Sequence, residues 1–391
     1  MQHLHQSPTD PAFVQNPYAF YARAREAGPL IFWEEYGMVA ATRLNSVSAL
    51  LKDRRFGREV PSELATPRPE HLRDFYEIED RSMLELEPPV HTRLRGLVLR
   101  AFTSRRIKAL GPEIAELAHR LLEDAPDGPF DLLPVFAERL PVIVIARLLG
   151  VPEETAPDLL RWSHAMVGMY QAGRSRADEE AANAAARDFA AFLRSVIAER
   201  RKRPGNDLLS ELIAAEEDGE KLDEKELIAT SVLLLNAGHE ATVHTIGNGV
   251  KALLEHGAKA SEANATAMSE EILRFDPPLH LFTRYAYEDV TLWGHDFRRG
   301  EQVALLLASA NRDAELCEAP ETFDPARRPS RHQAFGGGLH FCVGAPLARL
   351  ELEVALPILF ARLPRLRLAE PPRYAPKYHF HGLERLIVSQ T

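Results

Sequence analysis

One short segment combines residues that could bind a soft metal. Cys342, one of only two cysteines in 391 residues, lies within the glycine-rich stretch Phe335–Gly344, and Pro346 follows it. Glycine permits positive φ and close approach of the backbone to a partner, and proline suits the first turn of a helix. The apolar spacing predicts a helix over Leu347–Leu363. The positive end of that helix would favour a thiolate at Cys342.

A thiolate in an open loop is a good metal ligand, but a lone one supplies a single bond. Haem brings four ligands of its own, and a cysteine thiolate is one of its known axial ligands. Zinc is disfavoured because no C-x-x-C pair or H-x₃₋₅-H partner is present. A phosphate-binding loop is disfavoured because neither glycine motif of that class occurs. From the residues alone, a buried structural cysteine stays open as the alternative.

A second segment places polar groups inside an apolar stretch. The pattern predicts one long helix over Asp223–His256, with Gly238, Glu240 and Thr242 near its middle. Glycine within a helix costs about 1 kcal/mol relative to alanine, which indicates close approach to something or a local widening. A carboxylate on a buried helix is costly unless it is paired or used in chemistry. A satisfied core glutamate is the alternative interpretation.

A third segment carries two donor side chains on one helix face. His91 and Arg95 are four residues apart in a stretch predicted to be helical from His91 to Phe102. Together they could clamp a carboxylate. Spacing alone favours the alternative, a solvated basic face.

Composition limits the class of protein. A net charge of −10 argues against general nucleic-acid binding. Two cysteines in so long a chain fit a reducing compartment, and no apolar run reaches membrane-spanning length. We therefore expect a cytoplasmic protein without a membrane segment.

The pattern Phe335-x-x-Gly338-x-His340-x-Cys342-x-Gly344 resembles the haem-binding loop of the cytochrome P450 family, position for position. With the other motifs, the resemblance extends from about Asp53 to the C-terminus and is to the soluble bacterial type. It implies a mainly α fold with a small β portion, in which a long central helix crosses the haem and the cysteine loop lies beneath. It further implies one domain over residues 1–391 and one haem b (iron protoporphyrin IX).

The resemblance also assigns roles to residues of this sequence. Cys342 would be the axial ligand, and Glu240 and Thr242 would take part in delivering protons to bound O2. Haem contacts would come from His91, Arg95, Ala237, Gly238, Arg284, Phe335, His340 and Gly344, with His91, Arg95, Arg284 and His340 on the propionates. A structural network would join Glu271, Arg274 and Arg327. The apolar substrate pocket would be lined by Leu234, Ala241, His280, Leu281, Phe282 and Phe380, with His379 as a further polar contact.

The sequence departs from the family at one position. Counting from Ala237, the usual threonine position holds Ala241, and Thr242 lies one residue later, about 100° round the helix. Three accounts remain: a bulge turns Thr242 inward, ordered water carries the proton, or a hydroxyl on the substrate replaces the missing group.

The activity implied is that of a monooxygenase, which inserts one atom of O2 into an apolar small molecule. No flavin or iron–sulfur domain is expected within the chain, so electrons would come from a ferredoxin and its ferredoxin reductase. Basic residues Arg93, Arg100, Arg105 and Arg106 could face such an acidic partner. A monomer is expected. The alternatives are a peroxide-driven peroxygenase, which Ala241 keeps open, and a non-catalytic haem-binding sensor.

Overall fold

The computed structural model describes residues 1–123, 125–171, 173–217, 220–378 and 380–390. The chain divides into two compact units. The first unit comprises Met1–Leu64, Gly111–Ala137 and Ala241–Thr391, and the second comprises Ala65–Leu110 and Glu138–Glu240. The prediction of a single domain stays a prediction.

Helices make up most of the secondary structure. In chain order they are α1 (Pro11–Gln15), α2 (Tyr18–Ala27), α3 (Leu44–Lys52), α4 (Arg73–Glu79), α5 (Val90–Ala101), α6 (Ser104–Ala109), α7 (Gly111–Glu123), α8 (Arg139–Leu149), α9 (Ala156–Val167), α10 (Arg176–Lys202), α11 (Leu208–Ala214), α12 (Glu224–Glu255), α13 (Ala265–Phe275), α14 (Leu307–Ala310) and α15 (Ala345–Arg362).

The strands are short. They are β1 (Gln2–Leu4), β2 (Leu30–Trp33), β3 (Met38–Ala41), β4 (Phe56–Gly57), β5 (Phe130–Asp131), β6 (Glu216–Glu217), β7 (Glu220–Lys221), β8 (Leu281–Ala286), β9 (Val290–Leu292), β10 (His295–Phe297), β11 (Gln302–Leu306), β12 (Arg367–Leu368), β13 (Arg373–Tyr374), β14 (Leu383–Arg385) and β15 (Ile387–Ser389). The predicted fold class, mainly α with a small β portion, is confirmed.

The largest sheet belongs to the first unit and has the strand order β1-β2-β3-β11-β8-β4. Its side chains alternate between two buried clusters, as the period of two in a strand requires. Leu30 and Val303 enter one cluster with Phe297, whereas Ile31 and Ala304 enter the aromatic cluster on the other face. The sheet is therefore covered on both faces, which fixes the register of β8.

Helix α12 is the longest element and is α-helical from Glu224 to Glu255 without interruption. The predicted helix over Asp223–His256 is therefore confirmed to within one residue at each end. Because no widened turn interrupts α12, a bulge that turns Thr242 inward is not the arrangement adopted.

The second unit is built around α10, which packs against α4 and α9. Ser175 and Asp178 form a capping box that starts α10. Helix α4 follows two short 3-10 turns, Ser62–Leu64 and Glu70–Leu72. Its apolar pattern of Phe75 and Ile78 is too brief to stand out in the sequence.

Among the described residues, no helix is both long and apolar enough to cross a membrane.

Candidate active site

The cysteine loop has a backbone that only glycine permits at key points. Gly336 and Gly338 both have φ of +67°. A Cβ on Gly338 would lie 2.1 Å from the carbonyl oxygen of Leu51. The Cys342 N–H donates to the Phe335 carbonyl oxygen at 3.0 Å, which closes the loop. The spacing of glycines is therefore required by close backbone packing against the end of α3.

The half-exposed Cys342 lies just before the N-terminus of α15. Helix α15 begins at Ala345, two residues earlier than predicted, with Pro346 in its first turn. The partial positive charge of a helix N-terminus favours the thiolate form of a nearby cysteine. The residues thus place a candidate thiolate ligand at an accessible position.

The loop is braced by a charged cluster at the start of α15. The Arg349 guanidinium stacks over the Phe335 ring at 4.6 Å and donates to Glu270 of α13 at 2.5 and 3.1 Å. His332 Nε2 lies 3.3 Å from Glu270 Oε2. Burial alone would raise the pKa of Glu270, but the interactions with His332 and Arg349 outweigh it and lower the pKa to about 2. Glu270 is therefore a fixed negative charge that holds Arg349 against the loop.

The three residues predicted to form a structural network do lie together. Arg274 forms two hydrogen bonds with Glu271, at 2.7 and 2.8 Å, and both side chains are fully buried. Arg327 donates to the same carboxylate at 3.2 Å. Arg274 also donates to backbone carbonyl oxygens, including those of Asn311 and Thr322. The network ties α13 to the irregular segment that leads to the cysteine loop.

Helix α12 has an accessible stripe in the middle of an otherwise buried helix. Ala237 is exposed, and Leu233, Ala241 and His244, three or four residues apart along the same face, are half-buried. Leu234, predicted to line the substrate pocket, is buried and lies off this stripe. Small side chains on an accessible face of a core helix leave room for a large flat group.

Gly238 lies next to that stripe and packs on α8, and its contact with the cofactor stays a prediction. A Cβ at Gly238 would lie 2.8 Å from Ile145 Cγ1 of α8. The glycine predicted to contact the cofactor therefore allows close packing of α12 on α8. This close packing explains why a glycine, which is unfavourable within a helix, occupies position 238.

Glu240 faces α9 rather than the stripe. Its Oε1 lies 3.2 Å from Nε2 of His164 and accepts from the Ser163 hydroxyl at 3.5 Å. The Glu240 side chain is 8% exposed, whereas that of His164 is 55% exposed. His164 thus connects a buried carboxylate with solvent. Nothing in the sequence pattern singled out His164, because its partner lies 76 residues away on another helix.

Thr242 faces a buried glutamate that the sequence analysis missed. Glu351 of α15 is completely buried, and burial raises the pKa of its carboxyl group well above the usual range, although the hydroxyl of Thr242 partly offsets this. Burial therefore favours the neutral form of the Glu351 carboxyl group. The sequence did contain one sign of this residue: Glu351 is an acidic residue within an apolar helical pattern, nine residues after Cys342.

The candidate propionate ligands lie on ordered elements of each unit. In the second unit, His91 is buried and Arg95 half-buried, one turn apart on α5. In the first unit, Arg284 is buried on β8, where it donates to the Thr283 carbonyl oxygen at 2.8 Å. His340 ends the 3-10 turn of the cysteine loop. Their role as haem ligands stays a prediction.

The residues predicted as substrate contacts do not share one surface. Leu281 enters the aromatic core cluster, while Phe282 packs against the opposite cluster. His280 is buried, with Nδ1 2.9 Å from the Tyr21 hydroxyl oxygen. Phe380 pairs with Leu279 in a single bridge. His379 lies outside the described residues.

The residues present fit haem. The one group of metal-ligand side chains found among the described residues does not include Cys342. The described residues do not place two further ligand side chains beside this thiolate, so a metal at this position needs a group that brings most of its own ligands. The small side chain of the half-buried Ala241 on α12, in the same unit, leaves room for a planar group, and haem brings most of its own ligands.

Comparisons with known proteins agree with this geometry. The sequence pattern described as Cytochrome P450 matches residues 265–376. The polyketide biosynthesis cytochrome P450 PksS of Bacillus subtilis is 38% identical over 100% of this chain and 99% of its own length. The vitamin D(3) 25-hydroxylase of Pseudonocardia autotrophica is 41% identical over 96% of this chain and 94% of its own length. P450BioI, solved in complex with a hexadec-9Z-enoic acid-ligated acyl carrier protein, covers 98% of this chain and 100% of its own at 35% identity, with a TM-score of 0.91.

These relatives match nearly the whole chain, and their names include hydroxylases and monooxygenases. The cysteine loop and the ion-pair network on α13 both lie within the matched pattern. The chain therefore belongs to the cytochrome P450 family and is a haem-binding monooxygenase.

Proposed function

We propose that this enzyme inserts one atom of O2 into a C–H or C=C bond of an apolar small molecule, with electrons supplied by a separate protein. The observation that carries the proposal is the accessible Cys342, held by a glycine loop at the N-terminus of α15. Haem b, when bound, supplies the activation of O2. We assign Cys342 as its axial ligand and Arg284, His340, His91 and Arg95 as the donors to its propionates.

The central test is the absorption spectrum of the reduced, CO-treated protein. We expect the thiolate-type band in the native protein and in Cys317→Ser, which removes the other free cysteine. Cys342→Ser should lose the band while still folding. A Cys342→Ser protein that keeps the band would overturn the assignment of the ligand.

We propose that the proton route ends at Thr242 and Glu351. The carboxyl group of Glu351 is neutral and buried and faces the Thr242 hydroxyl, so it can give a proton and take one back. Glu240 and His164 form a second pair of acid–base groups, with His164 reaching solvent. We propose that this pair brings protons in from the surface. Ala241 then needs no hydroxyl of its own.

The electron donor is proposed to be an acidic protein, a ferredoxin with its reductase. In the first unit, Lys52, Arg331 and Arg349 line a shallow groove beside the cysteine loop, together with the exposed Phe341. Complementary charge would steer an acidic partner toward it. Two of the arginines proposed from sequence are engaged elsewhere, since Arg93 pairs with Glu226 and Arg106 with Glu211. Arg100 and Arg105, on exposed positions of the second unit, remain candidates.

The groove is tested by the rate of electron transfer from a ferredoxin at low and high salt. Lys52→Glu with Arg331→Glu should slow the reduction of the haem by at least about tenfold at low salt, and less at high salt. Arg176→Glu, which changes an exposed arginine at the start of α10, is the matched control. Equal slowing by the control would remove the groove from the proposal.

Two relatives bear on the substrate. PksS is named for polyketide biosynthesis, and P450BioI was solved with an acyl chain carried by an acyl carrier protein. We propose an extended apolar acyl chain as the substrate class. Adding free fatty acids and acyl carrier protein conjugates in parallel, and measuring the haem spin shift, distinguishes a free from a carried substrate. A shift with rigid terpenoids or steroids only would contradict the class.

A peroxide-driven reaction is the alternative activity. The pairing of Thr242 with Glu351 favours O2, because peroxide needs no such proton supply. Product formation from peroxide alone, at a rate equal to that with the electron donor, would reverse this preference. We further propose a monomeric, single-domain enzyme of the cytoplasm, a compartment that fits two free cysteines.

A further inference from the structure

A second set of metal-ligand side chains lies in the first unit. Asp276 follows the end of α13, His280 precedes β8, and His381 lies in the turn between β13 and β14. All three are at least nine-tenths buried. One ligand atom from each lies within 4.8 Å of the others. The chain thus brings two imidazoles and a carboxylate together from three separate elements.

Hydroxyl groups orient two of these side chains. Tyr18 donates to Asp276 Oδ1 at 2.7 Å, and Tyr374 donates to Oδ2. The Tyr21 hydroxyl is paired with His280 Nδ1 at 2.9 Å. Metal-binding histidines and carboxylates are oriented in this way by groups around them. The arrangement is therefore built to hold the orientation of the carboxylate and of the His280 ring.

Backbone contacts hold the segments in place. Asn248 of α12 donates to the carbonyl oxygens of both Asp276, at 3.2 Å, and His381, at 2.9 Å. The His381 N–H donates to the Pro278 carbonyl oxygen at 2.7 Å. The positions of Asp276 and His381 are thus set by hydrogen bonds that do not involve their side chains. The three ligands can stay close together without a metal.

The surroundings of the His381 side chain also indicate a ligand at this position. The side chain is 1% exposed, and neither Nδ1 nor Nε2 has a hydrogen-bond partner among the described residues. Its ring stacks on Tyr374 at 3.8 Å, and Nε2 lies 3.6 Å from Asp276 Oδ1, beyond hydrogen-bond distance. A buried polar group left without a hydrogen bond carries an energetic cost. A ligand between the imidazole and the carboxylate would remove that cost.

We propose that Asp276, His280 and His381 bind one zinc ion. Two neutral imidazoles and one carboxylate form a donor set that zinc accepts, whereas calcium and magnesium require mostly oxygen ligands. Tetrahedral zinc needs ligand atoms about 3.3 Å apart, so the side chains must close by roughly 1 Å. Arg312 stacks on Tyr18 and Lys251 lies over Tyr374. With these cations nearby, binding depends on the donor atoms rather than on net negative charge.

The ion would join three distant parts of the chain. His280 and His381 are about a hundred residues apart in sequence, and a bond through one metal would fix the C-terminal hairpin of β13 and β14 to the start of β8. Such a link removes conformational freedom from the unfolded chain, as other long cross-links do. The expected role of the ion is to stabilise the attachment of the β13–β14 hairpin to the start of β8.

The test is the metal content of tag-free holoenzyme. The protein is equilibrated with zinc chloride, exchanged into metal-free buffer, and analysed for zinc and iron by mass spectrometry. We expect about one zinc per chain in addition to the haem iron. His381→Gln should reduce zinc to less than a tenth per chain while the haem content and circular dichroism stay unchanged. His295→Gln, a matched change at a histidine bonded to Glu301, should keep the zinc.

Three results would overturn the proposal: less than a tenth of a zinc per chain in the native protein, equal zinc in His381→Gln, or loss in His295→Gln alone. If His381→Gln does not fold, X-ray absorption spectroscopy at the zinc edge identifies the zinc ligands in the native protein instead. A shell containing two imidazoles supports the site, and a shell without imidazole refutes it. None of these readouts depends on turnover.

Discussion

Two buried glutamates on neighbouring helices of the first unit have opposite surroundings. Glu271 of α13 accepts two hydrogen bonds from Arg274 and another from Arg327. Glu351 of α15 has no charged partner among the described residues and lies beside the hydroxyl of Thr242, and burial raises the pKa of its carboxyl group. Helix α13 packs against α15, so the two carboxyl groups belong to the same core.

The difference shows what burial does to a carboxylate. A paired carboxylate stays charged, and breaking the pair leaves an uncompensated charge in the core. An unpaired carboxyl group takes up a proton, becomes neutral, and can exchange that proton with a neighbour. Glu271 therefore has a structural role in the network that leads to the cysteine loop. Glu351 has the role proposed for it in the proton route.

The largest effect is expected at the paired carboxylate. Arg274→Met leaves Glu271 charged and buried without its main partner and should destabilise the protein by about 3–5 kcal/mol. Measured by denaturant unfolding, the loss should be accompanied by low haem content. Arg298→Met, which removes an arginine from the exposed pair with Asp289, is the control and should have a much smaller effect on stability. Similar costs for both variants would mean that the buried network is not structural.

The next effect concerns Glu270, the charged residue beside the loop. Its pKa is about 2 in the folded protein and about 4.5 when unfolded. Because the folded pKa is the lower one, the stabilisation is fully present above pH 4.5 and is lost as the pH falls toward 2. Over that interval it amounts to about 3 kcal/mol.

Glu270→Gln should therefore reduce the free energy of unfolding at pH 7 by up to about 3 kcal/mol. The gap between variant and native protein should begin to shrink below about pH 4.5. Denaturant unfolding of both proteins at several pH values measures this gap. A gap that stays constant from pH 7 to pH 4 would show that the lost packing of the side chain, not its charge, causes the effect.

The pairing of Glu271 could be predicted from the sequence, whereas the surroundings of Glu351 could not. Glu271 and Arg274 are three residues apart on one helix, so their pairing follows from helix geometry. The pairing of Glu351 with Thr242 joins residues more than a hundred positions apart, and depends on how α15 packs against α12. No local pattern encodes that contact.

The same reasoning explains the other differences. Gly238 was correctly recognised as unusual, but only packing shows that the close approach is to Ile145. Leu281 and Phe282 are adjacent, so their strand sends them to opposite faces of a sheet that is covered on both sides. The cysteine loop could be predicted because its chemistry lies within ten consecutive residues.

Glu351→Gln tests the unpaired carboxyl group. The amide keeps the shape but cannot exchange a proton, so the product formed per electron consumed should fall about tenfold. This is less than the roughly hundredfold or more typical for loss of a general acid, because Glu240 remains. Measured consumption of reductant and formation of product give the ratio. An unchanged ratio would remove Glu351 from the proton route.

Stability provides the control for that variant. The folded pKa of Glu351 lies above its unfolded value, so its contribution is fully present below about pH 4.5 and is lost as the pH rises through the folded pKa. Glu351→Gln should therefore equal the native protein in stability at pH 4.5 and exceed it at pH 8. The opposite trend would mean that Glu351 is charged and paired in the folded protein.

The smallest effect is expected at Ala241. Ala241→Thr adds a hydroxyl group on the accessible stripe of α12, where the family's usual threonine would stand, at a cost of roughly 0.5 kcal/mol for a β-branched residue in a helix. If Thr242 and Glu351 already deliver protons, the product formed per electron should change by less than about twofold. A rise of tenfold would show that the native chain lacks a needed hydroxyl, and that the substrate supplies it. Combining Ala241→Thr with Glu351→Gln separates the cases, because recovery of the ratio in the double variant would show that a hydroxyl at position 241 can replace the carboxyl group of Glu351.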